Sequence, residues 1–225
     1  MRTVCGWERL VQTLVGRGAA PVTEVRSLAG GREPLLDGRF GEQRRHGVRL
    51  DQVDGTTCGS AVLVALAAWA NTAEVRRLDG EGAAGAAGFG ARYDARQRQV
   101  HRESRRFWPQ ALGTTPWGMA AWLRRHVPGA RPYHVRLVDD VSTADVTDVL
   151  NAVTAALLAG RPVPLLLGRF VPRHYVLALG LHRGGWRVYD PASGQVRALD
   201  LQLVLQRSLA PVLGYDRLHA ALLPT

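Results

Sequence analysis

Lysine is absent from this chain of 225 residues, so all 29 of its basic side chains are arginine. Set against 19 acids they leave a formal net charge of +10, which favours anionic partners at the surface. With abundant Ala and Gly, this usage points to a GC-rich bacterial genome more than to a function. The arginines are scattered in isolated pairs such as Arg44-Arg45, Arg76-Arg77, Arg105-Arg106 and Arg124-Arg125. No zinc finger, RNA-binding signature or aromatic-basic interleaving accompanies them, so nucleic acid is not the expected partner. Cysteine is scarce as well, with only Cys5 and Cys58. One pair makes no disulfide framework, and metal sites need more clustered ligands. His46, His101, His126, His134, His182 and His219 have no spacing that suggests a metal, and no cofactor is expected. Long apolar runs are missing too: none approaches the roughly 18 to 20 residues that span a bilayer. Trp7, Glu8 and Arg17 interrupt any signal-peptide pattern at the N-terminus. The expectation is a cytoplasmic chain in which a free thiol stays usable. Phosphate loops, dinucleotide fingerprints and serine nucleophile elbows are also absent.

What is present has an order. Residues 1–45 read as an N-terminal arm with a short amphipathic helix at 7–15, the stretch 16–50 being punctuated by Gly, Arg and Pro. Residues 46–225 read as one domain, with a helical half at about 46–160 and a sheet half at about 161–225. Within it, 58–70 is the strongest helix, 79–91 a glycine-rich loop, and 92–106 a polar segment that is helical or disordered. A further helix starts near Thr115-Pro116, with proline in its first turn, and another runs from Asp145 to Leu158, with Thr143 as its cap and Gly160 as its end. Strands are expected at 133–138, 162–168, 174–182, 186–190 and 195–199, and Val204, Leu205, Leu209, Val212 and Leu213 close the core. Helices first and sheet last is an α+β order. Phe107, Trp108, Trp117 and Trp122 are assigned to core and cleft wall, Pro116-Trp117-Gly118 to a cleft rim, and Asp139-Asp140 to a turn.

Cys58 draws attention because of where it falls. It follows Thr57, a good N-cap residue, and so stands in the first turn of an apolar helix. There the positive end of the helix dipole favours a thiolate, and unsatisfied N–H groups point toward whatever the sulfur attacks. A helix apolar on all faces is buried, and therefore a rigid mount. Gly59 would allow close approach of substrate or backbone. Gln52, six residues upstream, can return its amide beside the sulfur as an oxyanion donor. His174 opens an apolar strand and can take the thiol proton. Asp190 ends the next strand, ahead of Pro191-Ala192-Ser193-Gly194. Taken singly, each has a bland reading: core cysteine, structural histidine, turn-starting aspartate. The joint order Gln-Cys-His-Asp is not predicted by those readings.

If Arg183-Gly184-Gly185 forms a three-residue hairpin loop, Asp190 falls opposite Ala178, on His174's face but four residues away. That is roughly 13 Å at about 3.3 Å per residue, so twist, a bulge or another register has to close the gap.

The pattern Gln52, Cys58-Gly59, His174 and Asp190 resembles the papain-like cysteine peptidases, in both the Gln-to-Cys and His-to-Asp spacings. The HYVLALGLH and YDPASG segments look most like the branch of bacteriocin-processing, double-glycine leader peptidases. The resemblance covers residues 50–70 and 165–199 directly. It implies a helical layer packed on an antiparallel β-sheet with a cleft between them. It also implies an acyl-enzyme on Cys58, with His174 as base and then acid, Asp190 orienting the imidazole and Gln52 lining the oxyanion hole.

Three functions are compatible with these residues: a hydrolase of peptide or amide bonds, an acyltransferase from thioester to amine, and a non-catalytic binding module. The expected partner is a peptide or protein, an acidic one being favoured by the arginine-rich surface, with an acyl carrier protein as the acyltransferase's partner. Oligomeric state is not encoded in any pattern found.

Overall fold

A computed structural model describes residues 1–14, 35–81, 88–105, 114–127 and 132–225. Most of the arm stretch 16–50, the centre of the glycine-rich loop, and Phe107 and Trp108 lie outside the described residues. Helix α1 (Val4–Leu14) starts three residues earlier than its periodicity suggests. Short strands β1 (Gly41–Glu42), β2 (Arg44–Arg45) and β3 (Val48–Arg49) follow. The β2–β3 hairpin straddles the 45/46 boundary expected between arm and domain, and β1 joins the main sheet.

Helix α2 (Cys58–Ala70) is buried from Cys58 to Ala68, as an all-round apolar helix has to be. Asn71 turns extended after it and caps α3 (Thr72–Asp79) by accepting from the Ala73 N–H. The polar segment after the glycine-rich loop is helical, not disordered: α4 spans Phe89–Ser104. Its amphipathic face buries Phe89, Tyr93, Gln97 and Val100 while its arginines and other polar groups meet solvent or partners. Helix α5 (Pro116–His126) carries proline in its first turn and the Thr115 hydroxyl on the Gly118 N–H. Next come β4 (Tyr133–Leu137) and α6 (Thr143–Leu158). The cap of α6 is Ser142, not Thr143; Ser142 is the extended residue, so its hydroxyl reaches the Asp145 N–H.

Strands β5 (Val163–Gly168), β6 (Pro172–His182), β7 (Gly185–Asp190) and β8 (Gln195–Leu199) form a meander. After the short helices α7 (Leu201–Leu205) and α8 (Ala210–Leu213), β9 (Arg217–Pro224) returns to the sheet. The order is β1-β8-β7-β6-β5-β9-β4, antiparallel throughout. The architecture is α+β.

Both faces of the sheet are covered, which explains why its central strands are apolar at consecutive positions. On one face Leu166, Tyr175, Leu177, Tyr189 and Leu222 pack with α2, α4 and α5. On the other, Val176, Ala178, Val188, Leu165 and Ala221 pack with α6. The two acids at 139–140 are more than a turn. Asp139 accepts from Arg2 at 2.6 Å, and Asp140 accepts the Thr3 N–H at 2.9 Å, tying the start of the chain to the sheet.

Candidate active site

Cys58 is the first residue of α2, and three separate elements hold the loop that delivers it. Gln97 on α4 donates to the Asp51 carbonyl at 2.9 Å and accepts from the Val53 N–H at 3.3 Å. The Tyr189 hydroxyl on β7 donates to the Leu50 carbonyl at 2.7 Å. The Gln52 N–H donates to the Pro191 carbonyl at 2.9 Å, joining this loop to the turn that follows Asp190.

Thr57 occupies the N-cap position but does not cap with its side chain. Its φ of −99° and ψ of 8° are not those of an extended cap, so the hydroxyl turns back, accepting from the Asp54 N–H at 3.0 Å. The N–H groups of the first turn of α2 are therefore not taken up by that side chain. Gly59 also serves a different purpose from the one its position suggests. A Cβ there would sit 3.2 Å from the Tyr175 ring and 3.4 Å from Thr114 Cβ, so the glycine admits protein, not substrate.

His174 is aimed by two register shifts. Leu167 pairs with His174 and Gly168 with Pro172, which leaves Arg173 as an extra residue immediately before the histidine. On the other side, the β6–β7 turn has two residues rather than three, because His182 pairs with Gly185. Arg183 (φ 43°) and Gly184 (φ 81°) both take the positive φ that a type I′ hairpin turn requires. Continued regularly, that register would set Asp190 opposite Leu177, on the wrong face of the sheet. Leu179 is bulged between Ala178 and Gly180, and the shift sets Leu177 opposite Tyr189. Asp190 then follows opposite Val176, two residues from His174 on the same face, or roughly 7 Å along the strand. The separation of four residues expected from a three-residue loop is thereby halved. Side chains of this length bridge the rest.

His174 Nε2 meets Asp190 Oδ1 at 2.8 Å, with both residues buried. Its other ring nitrogen is left for the Cys58 side chain, which is near enough to influence the imidazole's titration. Burial pulls the His174 pKa down, but the hydrogen bonds to Asp190 and Cys58 and their charges outweigh it and lift the value to about 9. Asp190 is also fully engaged: Oδ1 accepts the Ala192 N–H at 3.0 Å, and Oδ2 accepts the Ser193 hydroxyl at 2.8 Å. Burial raises its pKa, and the hydrogen bonds from His174 and Ser193 overcome that, holding it below the usual carboxylate range. Cys5 has none of this support. Burial, with the charges of Glu8 and Asp140, pushes its thiol up to about 12.

Gln52 lies beside the pair and donates through Nε2 to the Asp54 carbonyl at 2.7 Å, which leaves the second N–H of that amide for another acceptor. Gln52, His174 and Asp190 wall a cleft of about 550 Å³, together with Gly55, Ala192, Gly214 and Tyr215 among others. Cys58 contributes no wall to it and is 5% exposed, so only a small part of its surface meets solvent. Trp117 is exposed, and no residue of 116–118 lines this cleft; Trp122 is buried in the core. Among the described residues no three His, Cys, Asp or Glu side chains converge to hold a metal.

Two contributors escaped the sequence reading. Tyr215 stacks on the His174 ring at 5.4 Å between centroids and 23° between planes. It follows Gly214, which ends α8 in the left-handed conformation, but no spacing links it to a histidine forty residues earlier. Ser193 reads as a turn residue in the sequence, although its place three after Asp190 is where a hydroxyl can return to that carboxylate.

No family model matches the chain, and no curated protein matches it. Among solved structures it is similar to a double-glycine motif protease from an AMS/PCAT transporter in complex with the leader peptide, at 13% identity and a TM-score of 0.42, over 78% of this chain and 89% of that one. It is also similar to the peptidase domain of Streptococcus ComA, a bi-functional ABC transporter involved in a quorum sensing pathway, at 15% identity and a TM-score of 0.40, over 78% of this chain and 97% of that one.

Proposed function

We propose that this protein is a thiol-dependent hydrolase of the papain-like kind, cleaving a peptide or amide bond through an acyl-enzyme on Cys58. One observation supports the proposal above the others: His174, held by Asp190 at 2.8 Å, has a pKa that the Cys58 side chain at the tip of a buried helix helps to raise. A non-catalytic module has no need of an imidazole fixed between a thiol and a carboxylate.

In the reaction, the Cys58 sulfur attacks the scissile carbonyl carbon as its proton resides on His174. The resulting oxyanion is met by first-turn N–H groups of α2 and the Gln52 amide. His174 then gives its proton to the leaving amine as the C–N bond breaks, forming a thioester on Cys58. It next takes a proton from water as that water attacks the thioester, and returns it to the sulfur on release of the acid. Asp190 keeps Nε2 protonated and the ring oriented throughout, and Tyr215 covers the ring face.

An acyltransferase differs only in the acceptor of the last step. With p-nitrophenyl acetate as a generic acyl donor, the expected result is a burst of p-nitrophenol and an acetyl group on Cys58 by mass spectrometry. Both should vanish in Cys58→Ala. A burst that persists in that variant sinks the proposal. Preference for an added amine over water would move the assignment to acyl transfer.

A further inference from the structure

Three arginines, Arg169, Arg173 and Arg197, stand in the wall of the cleft that contains His174. Asp190 is the one acidic residue in that wall, and its carboxylate is already committed to His174, Ala192 and Ser193. The three guanidinium groups make no ion pair among the described residues, in contrast to many arginines elsewhere in the chain. Arg96 is bonded to Glu74, Arg136 to Asp145, Arg45 to Asp79 and Arg217 to Asp140. Those four acids are spent away from the cleft, and the three guanidinium groups in its wall are left for whatever enters.

Arg169 and Arg173 are exposed, and their placement ties both to the site. Arg173 is the bulged residue immediately before His174, and Arg169 belongs to the β5–β6 connection that ends in the same bulge. Arg197 is partly buried on β8, and its guanidinium donates to the Val212 carbonyl, which anchors it in the wall. Guanidinium groups bind carboxylates through paired N–H···O bonds. The rest of the wall includes Gly55, Ala192 and Gly214, small residues that leave room for an extended chain. Single-stranded nucleic acid calls for open aromatic platforms. Among the described wall residues the one such ring, Tyr215, is stacked on His174.

We infer that this cleft selects a peptide bearing acidic side chains next to the reacting carbonyl, held by Arg169, Arg173 and Arg197. The inference rests on the proposed thiol chemistry at Cys58 and names its substrate class. It is tested by alkylation of Cys58, which needs no knowledge of the natural substrate. Iodoacetate carries the carboxylate, and iodoacetamide is its neutral counterpart. The ratio of their rates at Cys58, read by mass spectrometry, gives each variant its own internal reference.

At low ionic strength Arg169→Gln/Arg173→Gln should lower the iodoacetate-to-iodoacetamide ratio roughly tenfold, which is about 1.4 kcal/mol. The difference should shrink in molar salt. Arg197→Gln, measured separately, should lower the ratio in the same direction. A tetraglutamate peptide should slow iodoacetamide labelling of wild-type Cys58, whereas tetraglutamine should not. A ratio unchanged in the double variant overturns the inference while leaving the thiol chemistry intact. Stronger protection by an oligo-dT strand than by tetraglutamate overturns the peptide assignment. Failure of both reagents to label Cys58 in the wild type removes the hydrolase reading, and this inference with it.

Discussion

Replacing Asp190 by Asn tests the electrostatics of the site directly. His174 keeps its proton up to about 9 although it is buried, because Asp190 and Cys58 hydrogen-bond to it and their charges favour the cation. A hydrogen bond to a charged group contributes about 1.5 to 3 kcal/mol, and one pKa unit corresponds to about 1.4 kcal/mol. Asn keeps an acceptor oxygen within reach but carries no charge, so His174 should titrate about one to two units lower. The folded pKa lies above the unfolded value of about 6.5, so stabilisation is complete below that pH and fades as pH rises through about 9. In Asp190→Asn the loss should come at lower pH. The assay is a pH titration of the imidazole nitrogens by 15N–1H NMR, with His174 assigned by comparison with His174→Gln. Thermal melts on either side of the transition provide the second readout. A folded Asp190→Asn protein in which His174 still titrates near 9 refutes the reasoning.

Two further substitutions separate geometry from chemistry. Gln52→Ala should leave alkylation of Cys58 by iodoacetamide nearly unchanged, since that displacement forms no oxyanion. Acylation by p-nitrophenyl acetate should fall by about 10²- to 10³-fold, and an equal effect on both rates would show that Gln52 only shapes the loop. Gly168→Ala would put a Cβ 2.1 Å from the Val171 carbonyl oxygen and 2.7 Å from His219 Nε2. It should cost about 1 to 3 kcal/mol in urea unfolding and disturb the bulge ahead of His174; full stability would contradict the close packing described.

Much of the fold could be read from local pattern. The all-round apolar helix at 58–70, the Pro-initiated helix at 116, and the apolar strands from 162 to 199 stand within two residues of their expected bounds. What escaped depended on contacts between distant segments. Strand β9 occupies the slot between β5 and β4, and its partners lie some fifty to ninety residues upstream, where no periodicity signals them. The polar α4 is stabilised as a helix by burying one face on α2, a tertiary effect that its arginine-rich sequence conceals. Spacing singled out His174 and Asp190, which meet at 2.8 Å, but not the means. The meeting of His174 and Asp190 depends on a type I′ turn and on a bulge at Leu179, and the neighbouring Gly180, though a bulge signal, does not fix the resulting register. The stacking of Tyr215 on His174 joins residues far apart in sequence and is hidden for that reason, whereas the bond from the Ser193 hydroxyl to Asp190 is local and its three-residue spacing is a signal.

The buried pair invites a structural explanation, and its energetics can decide against one. Taking a carboxylate and an imidazolium out of water costs several kcal/mol per ion, and their attraction inside the protein does little more than return it. Removing one partner is therefore expensive, because the other remains charged and buried, whereas removing both together is not. In His174→Leu/Asp190→Asn, leucine fills the imidazole's volume against Tyr215. The asparagine oxygen still accepts from the Ala192 N–H. If the pair exists for chemistry, this double variant should stay within about 1 kcal/mol of the wild type near pH 7 while Cys58 loses its reactivity toward p-nitrophenyl acetate. If the pair exists to hold β6 and β7 together, the double variant should instead lose about 3 to 5 kcal/mol, as one-sided removal of a buried ion does. The low intrinsic value of such a pair to the fold is what makes its retention beside a thiol informative.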